Sequence, residues 1–288
     1  MNPYVILTDS GCDIISETLK DWGVKYISLT FRFGDEDKEY ANDEMPSEVF
    51  YDHMRQGRTA KTSAINTERF RQFFEGELQA GNDILYIGFS SGLSNTYNAA
   101  RIASEQLAAD YPDRKIIAVD SLAASAGFGL LVALAVRAKN EGKTLDEVAE
   151  LTRSYIPRLC HWFTVDDLVY LKRGGRISPT VAFVGNVLGI KPILHVDNEG
   201  HLINMTKVRG RKASIAALAQ KYDELLEAPE MNEVFISHGD CLGDAQTLKH
   251  LLETKYGANV TLITPVGTVI GAHSGPGTLA VFYIGKNR

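Results

Sequence analysis

The stretch Ile84-Leu-Tyr-Ile-Gly-Phe-Ser-Ser-Gly-Leu-Ser-Asn-Thr-Tyr97 decides the fold class. Its first half is an uncharged run of aliphatic and aromatic residues, which predicts a buried strand over 83–89. Glycine and three serines then deliver the chain into a helix predicted over 95–110. A strand that ends in glycine and hydroxyls and turns at once into a helix is the repeating unit of α/β proteins. Such folds hold ligands at the carboxyl ends of their strands, where helix N-termini offer unpaired N–H groups and a positive dipole end. Ser94 therefore stands where a phosphate or carboxylate is stabilised, whether or not it also caps the helix.

The same alternation extends outward in both directions. Strands are expected over 4–8, 24–31 and 115–119, and helices over 16–22, 46–55, 67–80, 122–141 and 144–156, the last with Thr144 as its N-cap. The chain changes character near Pro157. Beyond it come a strand over 159–165, helices over 166–172 and 179–188, a hairpin from Ile193 to Val208 turning at Asn198-Glu-Gly200, and further helices and strands to the end. The expected fold is two α/β domains with largely parallel sheets, over 1–157 and 158–288, packed closely because no low-complexity linker parts them. The cleft between them is the default ligand site.

Composition narrows the function. A chain of 288 residues with a formal net charge of −6 has no general basic face for nucleic acid. Cys12, Cys160 and Cys241 are far apart and lack zinc-ligand spacing, which suggests neither a disulfide framework nor a metal site and fits a reducing cytoplasm. The uncharged stretch from Ser121 to Val136 is shorter than the roughly 20 residues that span a bilayer. No GxxxxGK[ST] occurs, so nucleotide binding lacks its usual signature, and Gly88-Phe-Ser-Ser-Gly92, though spaced as GxSxG, is read as an anion-holding turn rather than a nucleophile elbow.

Four further segments carry polar chemistry. Thr8-Asp-Ser-Gly-Cys-Asp13 follows the first strand, and Lys61-Thr62-Ser63 is expected in a polar loop. Tyr170-Leu-Lys-Arg-Gly-Gly-Arg-Ile-Ser178 sets cations about a Gly-Gly pair, and Lys207, Arg209, Arg211 and Lys212 form a second basic cluster. These clusters are either solvated charge runs or a rim for a partner or phosphorylated group. Gly271-Ala-His-Ser-Gly-Pro-Gly277 predicts a tight loop rather than a helix, leading into a buried strand from Thr278 to Ile284. His273 on that loop either donates to a nearby carbonyl or serves a ligand.

In this order, the TDSxxDI segment, Lys-Thr-Ser, SSGLSNTY, the DSxxAS turn at Asp120–Ser125, LKRGGRIS, Gly-Ile-Lys-Pro-Ile at 189–193 and GAHSGPG resemble the DegV family, bacterial fatty-acid-binding proteins that serve a fatty acid kinase. The likeness runs from about Tyr4 to Ile284. It implies one long-chain fatty acid held between or within two domains, with the C-terminal domain forming the acyl-chain pocket, and neither cofactor nor catalytic residue. It implies a carboxylate held by Thr62 and Ser94 and by a network around His273, with Ser63 and Ser274 beside them. Phe183, Val184, Val187, Leu188 and Ile190 are candidates for the tail lining, or plain core. The implied partner is an ATP-dependent fatty acid kinase, docked through Arg173, Arg176 and Arg209. This chain would present the carboxylate and then hold the acyl phosphate for phospholipid synthesis, with transient contact at a membrane surface left open.

The chemistry agrees with that division. Burying about 16 carbons contributes on the order of 10 kcal/mol at about 0.8 kcal/mol per methylene. A carboxylate taken out of water needs hydrogen-bond donors around it, and the expected donors are neutral, with no lysine or arginine clamped onto the acid. The competing reading is an enzyme in which His273 accepts a phosphoryl group or anchors a small carbonyl substrate. A third is a regulatory or scaffolding protein with an incidental pocket.

Overall fold

The computed structural model describes residues 2–178, 189–226 and 231–288. Its first half contains β1 (Tyr4–Asp9), α1 (Ser16–Asp21), β2 (Lys25–Ile27), β3 (Thr30–Phe33), β4 (Tyr40–Ala41), α2 (Ser47–Arg55), β5 (Ala60–Ser63), α3 (Thr67–Gln79), β6 (Asp83–Gly88), α4 (Thr96–Asp110), β7 (Ile116–Asp120), α5 (Ala126–Asn140) and α6 (Leu145–Tyr155). The second half contains β8 (Leu159–Thr164), α7 (Val169–Arg173), β9 (Ile190–Val196), β10 (Leu202–Arg209), α8 (Arg211–Leu225), β11 (Glu233–His238), α9 (Leu242–Tyr256), β12 (Asn259–Pro265), α10 (Thr268–Ser274) and β13 (Leu279–Ile284).

Strands β2-β1-β6-β7 form a parallel sheet. Every residue of β6 is buried, because alternate side chains enter two different cores. Ile84 and Tyr86 share one core with α3 and α4, the Tyr86 ring lying 5.2 Å from Phe70 and 5.5 Å from Phe74. Leu85 and Ile87 belong to the other, built around α5. That helix is buried over nearly its whole circumference, as expected of a helix apolar all round.

The second sheet has the order β10-β9-β8-β13-β11-β12. The α/β class and its parallel sheet hold, but parallel pairing is concentrated in the first sheet: in the second, among the described residues, only β11 and β12 pair in parallel. Trp162, Ile236, Val281 and Tyr283 on one face form a core with Leu218 and Tyr222 of α8 and Leu248 and Leu252 of α9. Phe163, Phe235, Ala280 and Phe282 on the other face join the core of α5. One apolar core thus runs from the first sheet through α5 to the second. Gly127 makes the contact close, since a Cβ there would stand 2.9 Å from Phe282 Cδ1.

Two expectations are corrected. Lys61-Thr62-Ser63 lies in β5, on the edge of the antiparallel sheet β4-β3-β5, rather than in a loop. Phe31 packs edge-to-face and Phe33 stacked against Phe50 of α2 behind β3, and that aromatic packing holds a short polar strand in place. Gly271–Ser274 close helix α10, so only Gly275–Gly277 form the bend. Glycine is unfavourable in a helix, but a Cβ at Gly271 would meet the Tyr51 hydroxyl at 2.5 Å, and that hydroxyl donates to the Val266 carbonyl at 2.9 Å. Packing overrides propensity there.

Gly271→Ala is therefore expected to lower stability by about 1–3 kcal/mol through overpacking against Tyr51, despite the better helix propensity of alanine. A reduced urea midpoint at unchanged slope reads this out, and a raised midpoint refutes it.

Candidate functional site

A cavity of about 350 Å³ lies where β5, the loop before α4, α10 and the shared core meet. Its walls are mainly apolar, with Leu29, Phe89, Leu93, Phe163, Val269 and Ile270 among them. One end is polar. Thr62 Oγ1 and His273 Nε2 lie 2.8 Å apart there, and Ser94, Ser63 and Ser274 line the same cavity.

The state of His273 follows from its surroundings. Burial, with the Arg176 guanidinium adding to it, pushes its pKa down to about 4, so the ring is neutral with one N–H and one lone pair. With the proton on Nε2, the imidazole donates to Thr62 Oγ1 and leaves the threonine hydrogen free to point at a ligand. Nδ1 has no partner and faces Gly174, where a Cβ would lie 2.1 Å away. The Gly-Gly pair in the basic loop therefore makes room for the histidine. Gly275 (φ +80°) and Gly277 (φ +79°) similarly pass against the Tyr170 ring and the Asp166 carboxylate.

Ser94 does not cap α4 directly, since the N-cap residue is Asn95. Its oxygen accepts the Thr96 N–H at 3.3 Å and lies 2.9 Å from Thr96 Oγ1, where either hydroxyl can donate; with Thr96 as donor the Ser94 hydrogen is free. Ser274 Oγ is buried without a partner, whereas Ser63 donates to Glu39 at 2.8 Å, so its hydrogen is already engaged. Behind the apolar wall, the Asp9 carboxylate accepts from Tyr86 O–H at 2.7 Å and from the N–H groups of Phe89 and Gly11, both at 3.0 Å. These bonds fix the Phe89 main chain, while burial lifts the Asp9 pKa to about 6.

The remaining expected residues scatter. Arg176, expected on a docking face, instead lines the cavity, its Nε donating to the Leu93 carbonyl at 3.1 Å. The polar end is thus not made of neutral groups alone. Arg173 is exposed, with its guanidinium 5.7 Å from the Tyr170 ring centroid, and Arg209 is exposed at the end of β10. Ile190 begins β9 and is not part of the cavity wall. Phe183, Val184, Val187 and Leu188 lie outside the described residues. Sequence reasoning missed Phe89, His161, Ser125 and Ser237 as lining. Ser125 closes the DSxxAS turn, which was a visible signal. Ser237 sits near the carboxyl end of an apolar strand, where ligands are expected.

A family description, "uncharacterised protein, DegV family", matches residues 3–286. The chain belongs to the DegV family. It is 42% identical to a DegV domain-containing protein of Clostridium perfringens, over 100% of this chain and 99% of that one. Among solved structures, a DegV lipid-binding protein from Thermotoga maritima is similar at 30% identity and a TM-score of 0.85, covering 99% of both chains. A second Thermotoga maritima protein, described as revealing fatty acid binding function, matches at 28% identity and a TM-score of 0.83, covering 99% of this chain and 100% of that one. In this DegV chain no helix among the described residues is long and apolar enough to cross a membrane, and no metal-binding group of side chains occurs among them.

Because folding depresses the His273 pKa from 6.5 to about 4, its contribution to stability is complete above about pH 6.5. That contribution is lost as the pH falls from there toward 4. In an NMR titration, the His273 ring resonance, assigned by its absence in His273→Gln, keeps its neutral position at pH 5.5. A midpoint near 6.5 refutes the buried neutral ring.

Proposed function

We propose that this chain binds one long-chain fatty acid, tail in the cavity and carboxylate at Thr62, Ser94 and His273, and presents it to a separate ATP-dependent kinase. The observation that carries the reading is the Thr62–His273 pair in the wall of a largely apolar cavity that Ser94 also lines. With the His273 proton on Nε2 and Thr96 donating to Ser94, Thr62 and Ser94 each have a hydrogen to give, and His273 acts through Thr62 by fixing which way that hydrogen points. Arg176 adds a positive charge near the acid. The tail contributes affinity by leaving water, and the donors set orientation. The fatty-acid binding recorded for the second Thermotoga maritima protein supports the same ligand class here.

The presenting role draws on a second depression on the other side of the same pair, lined by Lys61, Thr62, Arg173, Arg176 and His273. A carboxylate at Thr62 stands between an apolar chamber and a basic one. Phosphoryl groups are stabilised by such guanidinium and ammonium groups, so this is where a donor phosphate would meet the acid and where an acyl phosphate would rest. Arg173 and Arg209 supply exposed positive charge for the kinase to dock against. On this reading the chain is a carrier without cofactor or catalytic residue.

Native mass spectrometry of the purified protein is expected to show one fatty acid per chain. Thr62→Ala and Ser94→Ala each weaken oleate binding by roughly 10- to 150-fold, the loss of a hydrogen bond to a charged group. An empty protein that takes up neither oleate nor palmitate overturns the proposal. Presentation is tested separately: with kinase and ATP, the loaded protein yields acyl phosphate, and Arg209→Glu slows that step at saturating oleate. If loaded protein yields none with any fatty acid kinase, the carrier role falls while binding stands.

A further inference from the structure

The antiparallel sheet that carries Thr62 ends in a free edge. Strand β5 pairs only with β3, in a register that runs from Thr30↔Ser63 to Phe33↔Ala60. One step farther along, the Gly34 N–H donates to the Thr59 carbonyl at 2.8 Å, so Gly34 and Thr59 form a hydrogen-bonded pair. Such pairs alternate along an antiparallel ladder. Lys61 and Ser63 therefore bond to β3, while the N–H and C=O groups of Ala60 and Thr62 point away from it. The other side of β3 agrees, since the Asn42 N–H donates to the Leu29 carbonyl at 3.0 Å, and the same alternation then gives the main chain of Phe31 to β4. Among the described residues nothing else bonds to the outward groups of Ala60 and Thr62.

The basic depression runs along this edge. It has a volume of about 340 Å³, and its lining takes in Thr59, Ala60, Lys61 and Thr62 in succession. Side chains alternate between the faces of a strand, so a hollow that touches four successive residues follows the edge rather than lying over one face. The charge beside it is uncompensated. Arg32 and Lys61 stand directly opposite each other and both are exposed, an arrangement in which like charges repel. Neither has a carboxylate partner among the described residues. A residue added opposite Lys61 on a further strand projects on the same face, where an acidic side chain relieves that repulsion.

We propose that the free edge of β5 takes an extended segment of the partner kinase as an added strand, bonded to the main chain of Ala60 and Thr62, with acidic side chains beside Arg32 and Lys61. This rests on the presenting role above. In strand addition the main-chain bonds supply affinity and the side-chain pairs select the partner. An added strand lies about 4.8 Å from β5, which seats the kinase next to the residue whose hydroxyl holds the acid. Arg173 and Arg176, which line the same hollow, remain for the phosphoryl group.

Amide hydrogen exchange on the oleate-loaded wild-type protein, alone and with an ATP-dependent fatty acid kinase from the same organism, tests it. Exchange at Ala60 and Thr62 is expected to slow by roughly tenfold or more when the kinase is added, the protection of newly bonded N–H groups. Ala60→Pro removes one outward N–H and no bond to β3, which an edge strand tolerates. It and Arg32→Glu are each expected to weaken kinase binding roughly tenfold, about 1.4 kcal/mol. Ala60→Ser keeps the N–H and the affinity, and all three variants still bind oleate. Unchanged exchange at both amides overturns the added strand, as does kinase affinity that survives Ala60→Pro and Arg32→Glu, and in either case the presenting role stands. If Ala60→Pro loses oleate as well, its fold is disturbed and the wild-type exchange decides. If the kinase does not bind the loaded wild-type protein, the presenting role itself fails.

Discussion

The burial of α5 over nearly its whole surface is the constraint on which the rest of the structure depends. A helix with so little solvent face must be covered by both sheets, and so the two halves of the chain share one apolar core. Close approach follows from two glycines, Gly127 against Phe282 of the second sheet and Gly129 against Ile14 and the Cys12 carbonyl in the first half. The start of the helix is correspondingly forced. Ser125 takes φ +55° and ψ −153°, a conformation that costs a serine on the order of 1–3 kcal/mol. Its hydrogen bond to Asp13 helps to hold it there, where burial raises the Asp13 pKa to about 7.

The polar end of the cavity is assembled from segments remote in sequence. Thr62 comes from an edge strand, Ser94 from a strand-to-helix loop, Arg176 from the basic loop and His273 from the end of a short helix. Each is held by main-chain geometry more than by a side-chain partner. Gly174 admits the imidazole, the Leu93 carbonyl anchors Arg176, and β3 fixes β5 through its ladder. Hydroxyls placed on such a frame hold their positions in the cavity wall without reorganising.

Much of this was legible in residue order alone. The run through β6 announced a buried strand, the turn at Asn198-Glu-Gly200 announced the β9–β10 hairpin, and Thr144 caps α6 as expected, with Glu147 completing a capping box. What stayed hidden depends on partners. Antiparallel order in the second sheet cannot be read from strands separated by helices, because β13 inserts between β8 and β11 only after the whole chain is made. Thr62 looked like a loop residue because its strand is short and polar. Gly271 looked like a helix breaker because nothing local reveals Tyr51. Arg176 looked like surface charge for the same reason: a cation reads as solvated until the Leu93 carbonyl is seen beside it.

The continuity of the core through α5 also bears on traffic. Proteins that clasp a ligand between two independent lobes can swing open about a hinge at little cost. Here, parting the sheets would strip Phe163, Phe235 and Phe282 from the central helix and expose them to water, a penalty of several kcal/mol at about 25 cal/mol per Å² of apolar surface. A ligand of the cavity would instead enter and leave by a local breach in its wall, which would make residence time a property of a few surface side chains rather than of global breathing.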